Sequence, residues 1–197
     1  MPLSEYSGLY GPAQGITLDE ALSSKVLYHS TLQQVRREMY KRILLAYDGS
    51  VEGRTALREG ALLAKQCGAE VFLLSVLDTG ALLLSEVALA GASAQMEDSF
   101  KEILDEGVTR LKKLGFDPVA ELVRGRPAEE IGKFARKVGA DLTVVGHHRQ
   151  SAFDRWWSGP KGAYLMDYTD CSLLVGRNAV SDEAMEALLP APGRRWR

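Results

Sequence analysis

VGHHRQSAFDRWWSGPKGAYLMDYTDCSLLVGR, residues 145–177, leaves an apolar run at Gly146, crosses a polar loop to Gly159, enters a helical pattern over Pro160–Tyr168 and ends in the aliphatic run Ser172–Gly176. A strand that closes on a glycine loop and opens into a helix has the form of a phosphate cradle, because backbone N–H groups at a helix start hold an anion where no side chain intervenes. Two residues oppose that use. Arg149 puts a long side chain, and Pro160 a ring without N–H or hydroxyl, where such a cradle wants bare backbone and a small hydroxyl. The segment predicts a nucleotide-type fold and weakens the case for a nucleotide.

Upstream of it, Arg42–Tyr47, Glu70–Leu77, Val119–Val123 and Leu142–Val145 are further short runs rich in aliphatic residues, which with Ser172–Gly176 make five strands. Four barely alternate, as strands covered on both faces do; VAELV, with Glu121 at its centre, reads as an edge. Helical stripes lie between them. Asp48-Gly49-Ser50 supplies cap oxygens to a stripe through Ala56, Leu57, Gly60, Ala61, Ala64 and Cys67 that stops at Gly68. Met96, Phe100, Ile103, Leu104, Val108, Leu111 and Leu114 form a second, stopping at Gly115; Pro127 opens a third, carried by Ile131, Phe134, Ala135 and Val138 to Gly139. The fourth is expected near Pro160–Tyr168. The order βαβαβαβαβ predicts an α/β fold: a five-stranded, parallel, doubly wound, Rossmann-like sheet with helices on both faces.

Both ends depart from the alternation. Residues 1–40 read as a Gly-, Pro- and Tyr-rich arm followed by a helix from the Thr17 cap, with Leu22, Val26, Leu32 and Val35 as its apolar stripe, serving either domain packing or subunit contact. Residues 179–197 read as a tail, whose PAPGRRWR end, with its basic residues and Trp196, is expected to be solvated and partly disordered. The domain itself is expected over 41–178.

The 197 residues suit one main domain, and 46% hydrophobic with 25% charged residues is ordinary globular composition. A net charge of -2 gathers neither nucleic acid nor an anionic membrane. The two cysteines, Cys67 and Cys171, make neither a disulfide framework nor a zinc site. No leader or membrane-spanning pattern is evident, so the expectation is a soluble, cytoplasmic protein.

In an open parallel sheet a ligand binds beyond the carboxyl ends of the strands, where strand order reverses. If the first and fourth strands are neighbours, Ala46, Tyr47, Asp48, Val76, Gly146, Arg149 and Gly159 are the candidate nucleotide crevice. Asp48 has two readings: acceptor for a ribose hydroxyl or adenine amine, or plain cap of the first helix. Arg149 also has two: a solvated side chain, or with His147, His148 and Arg155 a fork of donors for a phosphate or carboxylate. His147 and His148 point apart on extended chain and make no metal site. Trp156 and Trp157 either pack their loop or offer an aromatic wall.

RILLAYDGS (42–50), GRPAEEIGKFARKVGAD (125–141) and ADLTVVGHHRQSAFDRWWSGPKGAYLMDYTDCSLLVGR (140–177) together resemble the universal stress protein family over residues 41–178. The resemblance implies a small α/β protein of the adenine nucleotide alpha hydrolase-like kind, and a homodimer joined through the last strand, Ser172–Gly176. It also implies, in ATP-binding members, a Gly-x-x-Gly, nine residues, Gly and Ser/Thr motif gripping the phosphates. On this chain those positions fall on Gly146, Arg149, Gly159 and Pro160, so two of four are lost. Several hydrogen bonds, each worth ~1 kcal/mol or more, go with them.

The expected function is therefore that of a universal stress protein-like, non-catalytic regulatory homodimer with a degenerate ATP motif, without required cofactor, metal, nucleic acid or membrane. The alternative is an adenine-nucleotide binder, of ATP or AMP, with at most slow hydrolysis. No catalytic residue is assigned: no GxSxG, Walker motif or His beside a nucleophile is present. A nucleotidyl-transfer enzyme of related fold is disfavoured by DGS standing where an SGG-type loop is needed.

Overall fold

Each aliphatic run becomes a strand because both sides of the sheet are covered. In the computed structural model, residues 39–78, 90–147 and 165–186 are described. The strands are β1 (Arg42–Ala46), β2 (Glu70–Asp78), β3 (Val119–Gly125), β4 (Leu142–Gly146) and β5 (Ser172–Gly176), and all the pairings are parallel. The order across the sheet is β3-β2-β1-β4-β5. The chain thus builds outward from β1 in one direction, then restarts at β4 on its other side. β3, as its central Glu121 predicts, is one edge of this sheet, and β5 is the other. Glu121 at the β3 edge is held by Lys137 Nζ at 2.6 Å.

Helices α1 (Val51–Cys67), α2 (Ala90–Lys113) and α3 (Pro127–Val138) follow β1, β2 and β3. On one face Ile43, Leu45, Leu73 and Val144 pack with Ala56, Ala61 and Ala64 of α1 and Leu111 of α2. On the other, Leu44, Phe72, Leu74 and Val145 pack with Ile131, Phe134, Ala135 and Val138 of α3. Alternate residues of one run serve opposite cores, so a strand such as Ile43-Leu44-Leu45 has no polar side. Burying each such side chain contributes about 1.5–3 kcal/mol. Among the described residues the buried polar side chains Ser75 and Thr143 are satisfied: Ser75 Oγ donates to Tyr47 O at 2.8 Å, and Thr143 Oγ1 meets Cys171 Sγ at 3.3 Å.

Helix ends follow the sequence signals. Ser50 caps α1, Pro127 opens α3 without a side-chain cap, and the helices stop at left-handed Gly68 and Gly139, whose N–H groups bond back to the last turn. The helix expected over 160–168 lies mostly outside the described residues; its last part is a 3-10 turn, Leu165–Asp167, with Leu165 buried. Asp182–Glu186 form a short helix, α4, and Met185 is 9% exposed in the core that contains Leu57 and Leu114. An apolar side chain one turn into a helix finds the end of α2, and burial there outweighs solvation of the segment. Residues 1–38 and 187–197 lie outside the described residues, and no helix among the described residues is long and apolar enough to cross a membrane.

Candidate functional site

The reversal of strand order lies between β1 and β4, which pair with Leu45 opposite Val144. Continued two residues, that register brings Tyr47 level with Gly146, so the ends of the two strands lie side by side. Ala46 pairs with Leu74 of β2, which by the same step sets Asp48 level with Val76. The fold therefore brings together Ala46, Tyr47, Asp48, Val76 and Gly146. Arg149 and Gly159, with Pro160, His148, Trp156 and Trp157, lie outside the described residues.

The loop after β1 is built from local bonds. Tyr47, 2% exposed, extends the strand: its N–H donates to Leu74 O at 2.8 Å and its carbonyl accepts from Ser75 Oγ. Gly49 then turns the chain at φ 73°, a conformation that costs a residue with a Cβ. Asp48 Oδ1 accepts from Ser50 N at 3.1 Å and from Ser50 Oγ at 2.6 Å, and Ser50 Oγ accepts in turn from Gly53 N at 2.9 Å. Ser50 is the cap and Asp48 braces it, so the carboxylate serves α1 through at least one oxygen. The fit is close: a methyl group at Gly53 would lie 2.3 Å from Asp48 Oδ1.

Gly146, too, has a packing role. A methyl group there would lie 2.9 Å from the carbonyl carbon and oxygen of Glu52 and from Gly53 N. The end of β4 thus rests on the first turn of α1, backbone against backbone. Smallness at this position is required by helix packing whether or not an anion ever approaches.

Sequence reasoning missed the charged cluster beside this loop. Glu106, on α2, takes Tyr47 Oη at 3.0 Å and Arg54 Nε and Nη2 at 3.0 and 3.1 Å. Arg110, one turn on, adds Nε at 2.9 Å and Nη2 at 2.7 Å. The Arg54 hydrogen bonds, then those of Arg110 and Tyr47, hold the Glu106 carboxyl at about 2 against the opposing effect of burial. Burial, reinforced by Glu106, pushes the Tyr47 phenol up from its ordinary value. The legible signals were a tyrosine ending an aliphatic run and the Glu106/Arg110 pair at helical spacing. Neither announces a partner more than fifty residues away. Glu106 and Arg110 also line an open cleft of about 570 Å³ with Leu57, Arg58, Asp105 and Met185, so solvent and salt reach this cluster.

The chain was compared with known proteins. The profile of the Universal stress protein family matches residues 39–177. A universal stress protein of Methanocaldococcus jannaschii is 28% identical over 141 residues, 70% of this chain and 82% of that protein. Among solved structures, a universal stress protein family member from Burkholderia pseudomallei superimposes with TM-score 0.55 at 25% identity, covering 70% of this chain and 96% of that one. The universal stress protein from Archaeoglobus fulgidus in complex with dAMP shares the fold at TM-score 0.51 and 21% identity, covering 71% and 99%. With more than two thirds of its length matched by the profile, this chain belongs to the universal stress protein family.

Proposed function

We propose that this chain is a non-catalytic regulatory member of its family, a cytoplasmic homodimer whose domain runs over 41–178 between appendages at 1–40 and 179–197. Its crevice lacks the usual triphosphate grip. The observation that carries this reading is the engagement of Asp48 with Ser50, together with the packing of Gly146 on Glu52. Two residues expected to serve a nucleotide have structural employment, while Arg149 and Pro160 replace the two others that a phosphate grip needs. The dimer contact in this reading is the open edge of β5, an aliphatic strand able to pair with its copy.

A second reading is an adenine-nucleotide binder, and it is favoured by the crevice lying at the switch point of the sheet and by the dAMP complex of the Archaeoglobus fulgidus protein. A monophosphate needs no seat for β- and γ-phosphates, so the losses at Arg149 and Pro160 weigh less on AMP than on ATP. Isothermal titration with ATP, ADP and AMP in magnesium separates the two. The first reading expects no micromolar ATP affinity; micromolar binding of ATP that Asp48→Ala abolishes overturns it. AMP binding at least as tight as ATP supports the second.

A further inference from the structure

From the contacts of helix α2 we infer that Glu106 is a positioning residue for the crevice loop: one carboxylate that clamps both flanks of the Asp48-Gly49-Ser50 turn and so sets where Asp48 stands. On the N-terminal flank it accepts from Tyr47 Oη at 3.0 Å; on the C-terminal flank it accepts from Arg54 Nε and Nη2 at 3.0 and 3.1 Å. The pairing with Arg54 is two-pronged, which fixes direction as well as distance. Between the flanks, the turn rests on the same helix one turn earlier: a methyl group at Gly49 would lie 3.0 Å from Ile103 Cγ1. One residue after Glu106, the helix comes close to the Tyr47 ring, where a methyl group at Gly107 would lie 2.9 Å from Cδ1. Ile103, Glu106 and Gly107 therefore give the loop its seat, across sequence separations of more than fifty residues.

Three features make Glu106 suited to this role. It lies outside the crevice residues themselves, so it acts through Tyr47 and Arg54 rather than on a ligand. Arg110 adds a second cation, its Nε donating at 2.9 Å to the same Glu106 Oε1 that accepts from Arg54 Nε, and touches neither flank of the turn in any bond described above. Burial and Glu106 both hold the Tyr47 phenol in its protonated, donating form, with Arg54 opposing.

This deepens the reading of the crevice given above, and its test uses no nucleotide, so it fails or succeeds separately from ATP or AMP binding. The measurement is backbone amide relaxation by NMR on the full chain for Glu106→Ala, Glu106→Gln and Arg110→Ala. In Glu106→Ala the order parameters of Gly49 and Ser50 are expected to fall from the rigid range near 0.85 toward about 0.6, while β1 and β4 stay rigid. Glu106→Gln, which keeps the shape and loses the charge, falls part of the way and serves if the alanine variant does not fold. Arg110→Ala leaves the turn rigid. In both Glu106 variants, spectrophotometric titration of tyrosine shows one group ionising at lower pH than in the unsubstituted protein. Unchanged order parameters at residues 48–50 in both Glu106 variants overturn the inference, as does equal loosening by Arg110→Ala.

Discussion

Gly146 and Glu52 touch through their main chains: a methyl group on the glycine would stand 2.9 Å from the carbonyl carbon and oxygen of the glutamate. Backbone cannot swing aside as a side chain does, so Gly146→Ala forces the end of β4 and the start of α1 apart. Overpacking of this kind costs about 1–3 kcal/mol. Urea denaturation of the substituted protein is expected to show that loss without any nucleotide present. Full retention of stability would mean that the glycine is kept for ligand approach alone.

The Glu106 cluster makes stability depend on acid in a defined window. Its folded carboxyl sits at about 2 against an ordinary 4.5, so protons bind the unfolded chain more readily. The contribution is complete above the unfolded value and is lost as pH falls from about 4.5 through about 2. The side chain is 31% exposed, and solvent screening reduces the contribution to on the order of 1–2 kcal/mol. The stability gap between the unsubstituted protein and Glu106→Gln is therefore expected near neutral pH and shrinks below about pH 4. A gap independent of pH would assign the effect to shape rather than charge.

The strands, the β3 edge and the cap of the first helix were legible because each is written in contiguous residues. Ile43-Leu44-Leu45 can be continuous only if covered on both sides, and Glu121 in the middle of VAELV only at an edge. The adjacency of Ala46, Tyr47, Asp48, Val76 and Gly146 follows from strand order, but the Glu106 contacts do not. Tyr47 and Glu106 are fifty-nine positions apart, and nothing local to either names the other. Gly146 read as an opening for phosphate because a glycine looks alike in sequence whether it admits a ligand or a neighbouring helix.

The β5 edge carries a prediction about assembly. Among the described residues no strand pairs with the outer side of Ser172–Gly176, and its aliphatic residues are only half-buried. Sedimentation equilibrium is expected to give twice the 21.6 kDa chain mass at micromolar concentration. Leu173→Pro, which removes an N–H that points away from β4 because its neighbour Ser172 donates to Asp141 O, is expected to shift the population toward monomer. A monomer at all concentrations removes the dimer from the proposed function and leaves the family assignment intact.

Restoring the phosphate grip tests the reason given for its loss. Arg149→Gly removes a side chain from the loop after β4, and Pro160→Ser returns one N–H and one hydroxyl to the start of the following segment. Each regained hydrogen bond to a charged phosphate contributes about 1.5 kcal/mol or more, and 1.4 kcal/mol corresponds to tenfold in affinity. The double substitution is therefore expected to raise ATP affinity by about tenfold or more, with a smaller gain for AMP, which presents fewer phosphates. If the doubly substituted chain binds ATP no better than the original, the barrier to ATP is not Arg149 and Pro160, and the packing of Gly146 on Glu52 becomes the feature to relax next.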